Sequence, residues 1–555
     1  MSAQTEYLAD CEKRFDAEPG LLGTELRSPN YHTCVPDGEW VHPVLPNFDY
    51  SVLLLRSQEP WAIERATRIL SLLLELQETN PCHAAYGIWP WLWEEPIEKM
   101  SPPDWNWADF CGARLAMILH ERAALLPSTL RKQIEQALRA AAHSVFRRNI
   151  QPDYTNIAVM GAVVCAAAGE MLGESWLLDY GRRRLASCVT HTEYHGGFNE
   201  FNSPTYTVVV VQECERLFQL VRDAESRRHG EWLWRHAWQI IADHFHPRTG
   251  QWAGPHGRAY SDLLSDATRA FLAERTGAEL TFATQEAFTG CSTVRPLQCP
   301  DEFRRAFHDE ITEPVEKIHH FLRKEDAVQS RYGTTWMSRD ACLGSFNRGD
   351  FWTQCRPVLG YWTTEEGTPV VIRLRLLKDG RDFASGLLRS QQHEARVLSA
   401  VTFATDRGAW HPRLDRPADG VFPTHDLRVR YEIQGPGVSG SQLDPKKFKV
   451  SCGKWNAWIH PADCSWEGRE LRWELNPIEG GCAVDLVLHH GEEMAFSPAA
   501  LTEIRIGVGM ELLFLDTLPS QQPLAWSARD DDASCRLNWG ELSVLTPTKP
   551  EISMA

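Results

Sequence analysis

Apolar residues recur at helical spacing through roughly the first 320 positions. The segments are Trp61–Leu76, Phe110–Leu126, Leu130–Phe146, Ile157–Leu172, Trp176–Val189, Val208–Val221 and Trp232–Phe245, with a shorter one at Leu263–Leu272. After about Gln329 the pattern changes. The runs beginning Thr368-Pro-Val-Val-Ile, Leu427-Arg-Val-Arg-Tyr and Cys482-Ala-Val-Asp-Leu are short, β-rich and partly alternating, with Gly, Pro and Asp between them. The pattern predicts an α+β multidomain chain, with a helical domain over residues 1–325 and an antiparallel β domain over 326–555.

Connections inside the helical half alternate in length. Pro127-Ser128, Gly173-Glu174 and Ala224–Arg228 are short turns, whereas 80–107, 149–154, 192–203 and 247–261 are long. This is the layout of helical hairpins side by side, with short turns at one end and long loops at the other. A ring of such hairpins is an (α/α) toroid, and its long-loop end would hold the site. The helices entering from that end begin with polar residues: Asp104-Trp-Asn-Trp-Ala-Asp109, Asp153-Tyr-Thr-Asn156, Glu200-Phe-Asn-Ser-Pro-Thr-Tyr206 and the stretch after Gly254-Pro-His-Gly-Arg-Ala-Tyr260. Ser203 suits an N-cap with Pro204 at the first helical position, and Asp153 or Thr155 suits another. Converging helix N-termini favour an anion, to which His256 and Arg258 would add positive charge.

Composition sharpens this picture. The 555 residues carry a formal net charge of −17, which argues against a nucleic acid or an anionic membrane held over a broad surface. No uninterrupted apolar stretch reaches ~20 residues, so no membrane span is expected. Met1 to Gly20 is charged throughout, which predicts no secretory leader, and the 15 cysteines form no C-x-x-C pair. Both point to buried thiols and a cytoplasmic location. The 22 tryptophans are unusual, and Trp89, Trp91, Trp93, Trp105 and Trp107 share one Pro-rich connection. Large flat rings on a loop suit either a sugar-binding cleft or core packing.

The segment Gly196-Gly-Phe-Asn-Glu-Phe-Asn-Ser-Pro-Thr-Tyr206, running into Val208–Leu217, resembles heparinase II/III-like polysaccharide lyases. The resemblance implies an (α/α) toroid followed by an antiparallel β-sandwich. It implies a proton-transfer role for Tyr206 and, through the similar Asn156-Ile-Ala-Val-Met-Gly stretch, a carboxylate-neutralising role for Asn156. The family's His-x-His-Ala-Asp element at the start of the β domain has no counterpart: residues 336–356 contain no histidine. His256 or Arg348 is left to fill that role, and the pairs His244/His246 and His319/His320 lack a third ligand at motif spacing, so neither metal nor cofactor is expected.

The expected activity is β-elimination on a uronic-acid-containing oligosaccharide or glycoside. Tyr206 would act as base and acid, Asn156 and Arg258 would neutralise the carboxylate, and His256 would sit alongside. Trp91, Trp93, Glu95, Trp105, Asn106, Glu200, Asn202, Tyr260 and Arg348 would bind substrate, and Tyr332, Arg339, Asn347 and Asp350 would come from the β domain. Two alternatives stay open: hydrolysis by a carboxylate pair drawn from Glu94, Glu95, Asp104, Asp109 and Glu200, and a non-catalytic carbohydrate-binding protein.

Overall fold

The computed structural model describes residues 3–29, 31–283, 295–527 and 533–553. The chain divides into two compact units. One comprises Met1–Tyr194, Tyr206–Gln239 and Ser265–Glu302; the other comprises His195–Thr205, Ile240–Leu264 and Phe303–Ala555. A helical region thus precedes an antiparallel β region, and the second unit also takes up two loops from the helical half.

Among the described residues, the long helices of the first unit are α1 (Ala3–Arg14), α2 (Val44–Ser57), α3 (Pro60–Glu75), α4 (Trp107–Arg122), α5 (Ser128–Arg148), α6 (Thr155–Leu172), α7 (Ser175–His195), α8 (Tyr206–Leu220), α9 (Ala224–His244) and α10 (Asp266–Thr276). Every segment with helical periodicity is a helix; α1 and α2 are additional. They pair as hairpins. Gly169 of α6 packs on Leu178 of α7 and Gly181 of α7 on Ala162 and Ala166 of α6, the descending register of antiparallel neighbours. Gly230 of α9 packs on Leu217 of α8 in the same way.

The layering follows from burial. α6 reads Thr-Asn-Ile-Ala-Val-Met-Gly-Ala-Val-Val-Cys-Ala-Ala-Ala-Gly and is buried at every residue from Thr155 to Gly169. By length and composition it is apolar enough to cross a membrane, yet it is a core helix of this unit. It contacts α4, α5 and α8, and α4 contacts α2, so α2, α4, α6 and α8 form an inner row. α3 and α5 touch each other outside it. This is the inner-and-outer arrangement of an (α/α) toroid built from hairpins.

The inner helices α4 and α6 run in one direction. Asp109 of α4 stands beside Gly161 of α6, and Gly112 beside Val164, a constant offset that only parallel helices give. α4 and α6 therefore begin at the same end, and α8 packs on both.

Among the described residues of the second unit, two nine-stranded antiparallel sheets lie face to face. One runs in the order Trp473–Ile478, Gly481–Phe496, Phe422–Gln434, Pro369–Lys378, Val358–Thr363, Ala341–Phe346, Arg331–Met337, Val315–Leu322, with Arg381–Asp382 paired to Pro369–Lys378 beside this path. The other runs Arg348–Asp350, Gly386–His393, Arg396–Phe403, Ile504–Phe514, Trp455–Pro461, Lys447–Cys452, Ser439–Asp444, with Cys464–Trp466 and Arg469–Leu471 joined to it at Ile504–Phe514. Their inward side chains share one core: Leu343, Trp362, Ile372, Val429 and Val484 from the first meet Leu388, Val401, Ile459 and Val508 from the second. That is a β-sandwich. A third, three-stranded sheet packs Leu537, Trp539 and Val544 on Leu398 and Ala400.

Candidate functional site

The first group of candidates lies at the starts of α4, α6 and α8. Asn156 is the second residue of α6 and Tyr206 the first of α8, two helices that pack on each other. Asn156 is fully buried and Tyr206 half-buried at the first position of its helix. The caps differ from expectation. α6 has Tyr154 at its N-cap and no side-chain cap, since Thr155 stands one position inside the helix, where its hydroxyl donates to the Pro152 carbonyl. α8 starts at Tyr206 rather than Pro204, and the Ser203 hydroxyl donates to the Arg258 carbonyl.

The tryptophan-rich loop divides into core and open rings. Trp89 is core: it is fully buried, edge-on to Phe48, with its indole N–H on the Leu73 carbonyl. Trp91 and Trp107 face each other with centroids 5.2 Å apart, and Trp93 is 41% exposed beside His42. The Trp91 indole donates to Asp104 Oδ2 at 3.1 Å, while Asp104 Oδ1 accepts from the Asn106 backbone at 3.0 Å. Asn106 Nδ2 reaches the Tyr154 hydroxyl at 3.3 Å and so ties the start of α4 to the start of α6. Trp105 is anchored on the Ala84 carbonyl. Three buried polar atoms here have no hydrogen-bond partner among the described residues: Trp107 Nε1, Asn106 Oδ1 and Glu95 Oε2. Buried polar groups are rarely left so, and such groups suit a ligand.

Behind this rim the inner helices carry ions. Asp49 accepts from Arg114 at 2.8 Å, Glu213 pairs with Arg216, and Asp109 lies 3.7 Å from Arg148. Asp109 is 2% exposed, and burial pushes its carboxyl up to about 7, against the pull of Arg148. Arg148 and Glu213 did not stand out in the sequence; the basic last turn of α5 was the only signal for the former.

The remaining acids are structural in their contacts. Glu94 bonds the His42 ring at 2.5 Å, and Glu95 Oε1 accepts from the Cys34 backbone at 2.7 Å.

The second group lies within the β-rich unit, where the loop 196–205 meets 252–262. Arg258 donates to Glu200 at 2.8 Å and to Gln354 at 2.7 Å and stacks over Trp352. Its guanidinium is thus fixed in direction by three neighbours. Asn202, expected on substrate, is fully buried; its amide donates to the Ala253 and Pro255 carbonyls and accepts from Trp252 Nε1. Its side chain holds the loop together. His256 was expected to carry positive charge, but it is 1% exposed, bonds the Asn202 carbonyl through Nδ1 at 2.7 Å, and is pushed down to about 4 by burial. At neutral pH it is an uncharged core ring. Tyr260 is 63% exposed.

The β-sheet candidates separate. Arg348 lines a cavity described below. Asn347 braces Tyr332 N and the Ser330 carbonyl, Arg339 is exposed beside Glu310, and Asp350 pairs with Arg407 at 2.8 Å. The two histidine pairs do meet: the His244 and His319 rings lie 5.0 Å apart, with Asp243 3.5 Å from His319. Among the described residues no three His, Cys, Asp or Glu side chains gather as a metal cage.

Residues 40–272 match the model of a family described as a domain of unknown function (DUF8769). No curated protein matches the chain. It is similar to solved structures of heparinase III (9% identity, 99% of this chain and 91% of that chain, TM-score 0.43). It is also similar to heparan sulfate lyase HepC from Pedobacter heparinus (9%, 90% and 81%, TM-score 0.34) and to a heparinase III with methylated lysines (8%, 90% and 82%, TM-score 0.35).

Proposed function

We propose that this chain is a carbohydrate-active lyase that cleaves a uronic-acid-containing oligosaccharide or glycoside by β-elimination. One observation carries the reading: Asn156 and Tyr206 lie in the first turns of adjacent helices, and the start of α6 is tied through Tyr154 to Asn106 on a loop of half-buried tryptophans with unpartnered polar atoms. The C5 proton of a uronate is weakly acidic while the neighbouring carboxylate keeps its charge. The Asn156 amide and the helix N-termini offset that charge and stabilise the enolate-like state. The Tyr206 phenolate takes the C5 proton; the electron pair forms the C4–C5 double bond as the C4–O bond breaks, and the leaving oxygen takes that proton from the Tyr206 hydroxyl, which returns to phenolate. Trp93, the most open ring of the tryptophan loop, offers a face on which a sugar ring stacks. The fourteen described cysteines are all free thiols, which supports a reducing compartment such as the cytoplasm.

Incubation with a panel of uronate-containing oligosaccharides tests this. Ultraviolet absorbance from the conjugated unsaturated product is the expected result, abolished in Tyr206→Phe with the fold intact. Near-normal turnover in that variant removes Tyr206 from the mechanism. New reducing ends without absorbance support the second reading, hydrolysis, which the Asp109 carboxyl at about 7 favours as a general acid.

A further inference from the structure

A cavity of about 240 Å³ lies within the β-rich unit, and none of the residues that the proposed elimination uses lines it. Its lining is charged: Lys324, Arg331, Arg348 and Arg389 face Asp350 and Glu551. Asp350 is already engaged by Arg407 at 2.8 Å as well as by Arg331 at 3.9 Å. Glu551 is held by Arg389 Nη2 at 2.7 and 2.9 Å and lies 3.9 Å from Arg348. Four lining cations therefore face two lining carboxylates, one of which has a further partner in Arg407, while Asp326 acts on Arg348 from outside the lining. That leaves an excess of positive charge inside a protein whose net charge is −17. Burial first, then Arg389 and Arg331, lower the pKa of Arg348 against the opposing pull of Glu551 and Asp326. The buried Nε–H of Arg389 has no hydrogen-bond partner among the described residues.

The geometry points to a binding site for a doubly charged oxyanion, a sulfate or phosphate group, free or as an ester, held by Arg348 and Arg389 with Glu551 as the internal carboxylate it competes against. Guanidinium forks match such oxyanions in shape and charge. The volume lies below the ~300–1,000 Å³ of pockets for larger ligands, which suits a small charged group. Glu551 reaches the cavity because its own backbone pairs with Phe403 and Thr405, and Ser553 is anchored by Asp406 and Arg407. This segment is a tethered counter-ion, so an incoming dianion meets a reduced but unsatisfied positive field.

The test is calorimetric titration of the full chain at pH 7 with sodium sulfate and with sodium phosphate, against chloride at matched ionic strength. Saturable one-to-one binding of sulfate or phosphate, with none for chloride, is expected, and which of the two binds tighter distinguishes the sources. Arg389→Ala should weaken binding at least about tenfold, with the melting transition as a check on folding. Glu551→Gln removes the competing charge and keeps the shape, so it should tighten binding about fivefold or more. That variant decides the matter even where Arg389→Ala does not fold. Unchanged or weaker binding in Glu551→Gln overturns the proposal. So does binding of glucuronate with neither sulfate nor phosphate, or no saturable binding at all. The outcome is independent of any elimination activity.

Discussion

Asp109→Asn isolates the energetics of the inner helices. The carboxyl rises from an ordinary value of 3.8 to about 7 because it is buried, with Arg148 at 3.7 Å pulling the other way. A folded-state pKa above the unfolded one means that the stabilising protonated form is fully present below pH 3.8 and is lost as pH rises through 7. Each tenfold change in acid strength between the two states is worth ~1.36 kcal/mol, so by pH 8 the folded protein has lost about 4 kcal/mol relative to strong acid through this one group. Asparagine has nearly the same shape and does not titrate. Its effect on packing, and on the partner left to Arg148, is the same at every pH and cancels when the variant is compared with itself. The unfolding free energy of the variant minus that of the wild type should therefore grow by roughly 3–4 kcal/mol between pH 4 and pH 8. Urea unfolding followed by the fluorescence of the helical unit's tryptophans at pH 4, 6 and 8 measures it. A difference that stays flat across that range would refute the reasoning and show that Arg148 keeps Asp109 ionised throughout.

His256 should behave in the opposite sense. Its folded pKa of about 4 lies below the ordinary 6.5, so its contribution is complete above pH 6.5 and about 3 kcal/mol is lost as pH falls to 4; His256→Gln should be less acid-sensitive in that window, and an unchanged acid midpoint counts against the burial argument. Gly344→Ala would place a Cβ 1.8 Å from the Gly254 carbonyl oxygen, so backbone must move and at least about 3 kcal/mol of stability should go. A wild-type melting curve for that variant would show that the strand has room. Loss of ultraviolet-absorbing product in Tyr206→Phe, and tighter sulfate binding in Glu551→Gln, complete the set.

The helical segments were legible because burial on one face imposes a 3.6-residue period. α2 escaped for a physical reason: Pro46, Asn47 and Asp49 interrupt its start, yet Asn47 is buried against Leu22 and Asp49 against Arg114. Polar residues there are interior partners rather than surface ones, which no periodicity reveals. The tryptophan loop shows the same limit. Trp89 and Trp93 look alike in sequence, and only packing against Phe48 separates the core ring from the open one.

Local chemistry along the chain set the order of hairpins and strands and the first-turn positions of Asn156 and Tyr206, since periodicity and turn residues act over a few neighbours. Three-dimensional packing alone decided protonation and pairing. It made His256 neutral, spent Asn202 on its own loop, raised Asp109 and gathered Arg348 with Arg389, because desolvation and charge depend on residues brought close from distant parts of the chain.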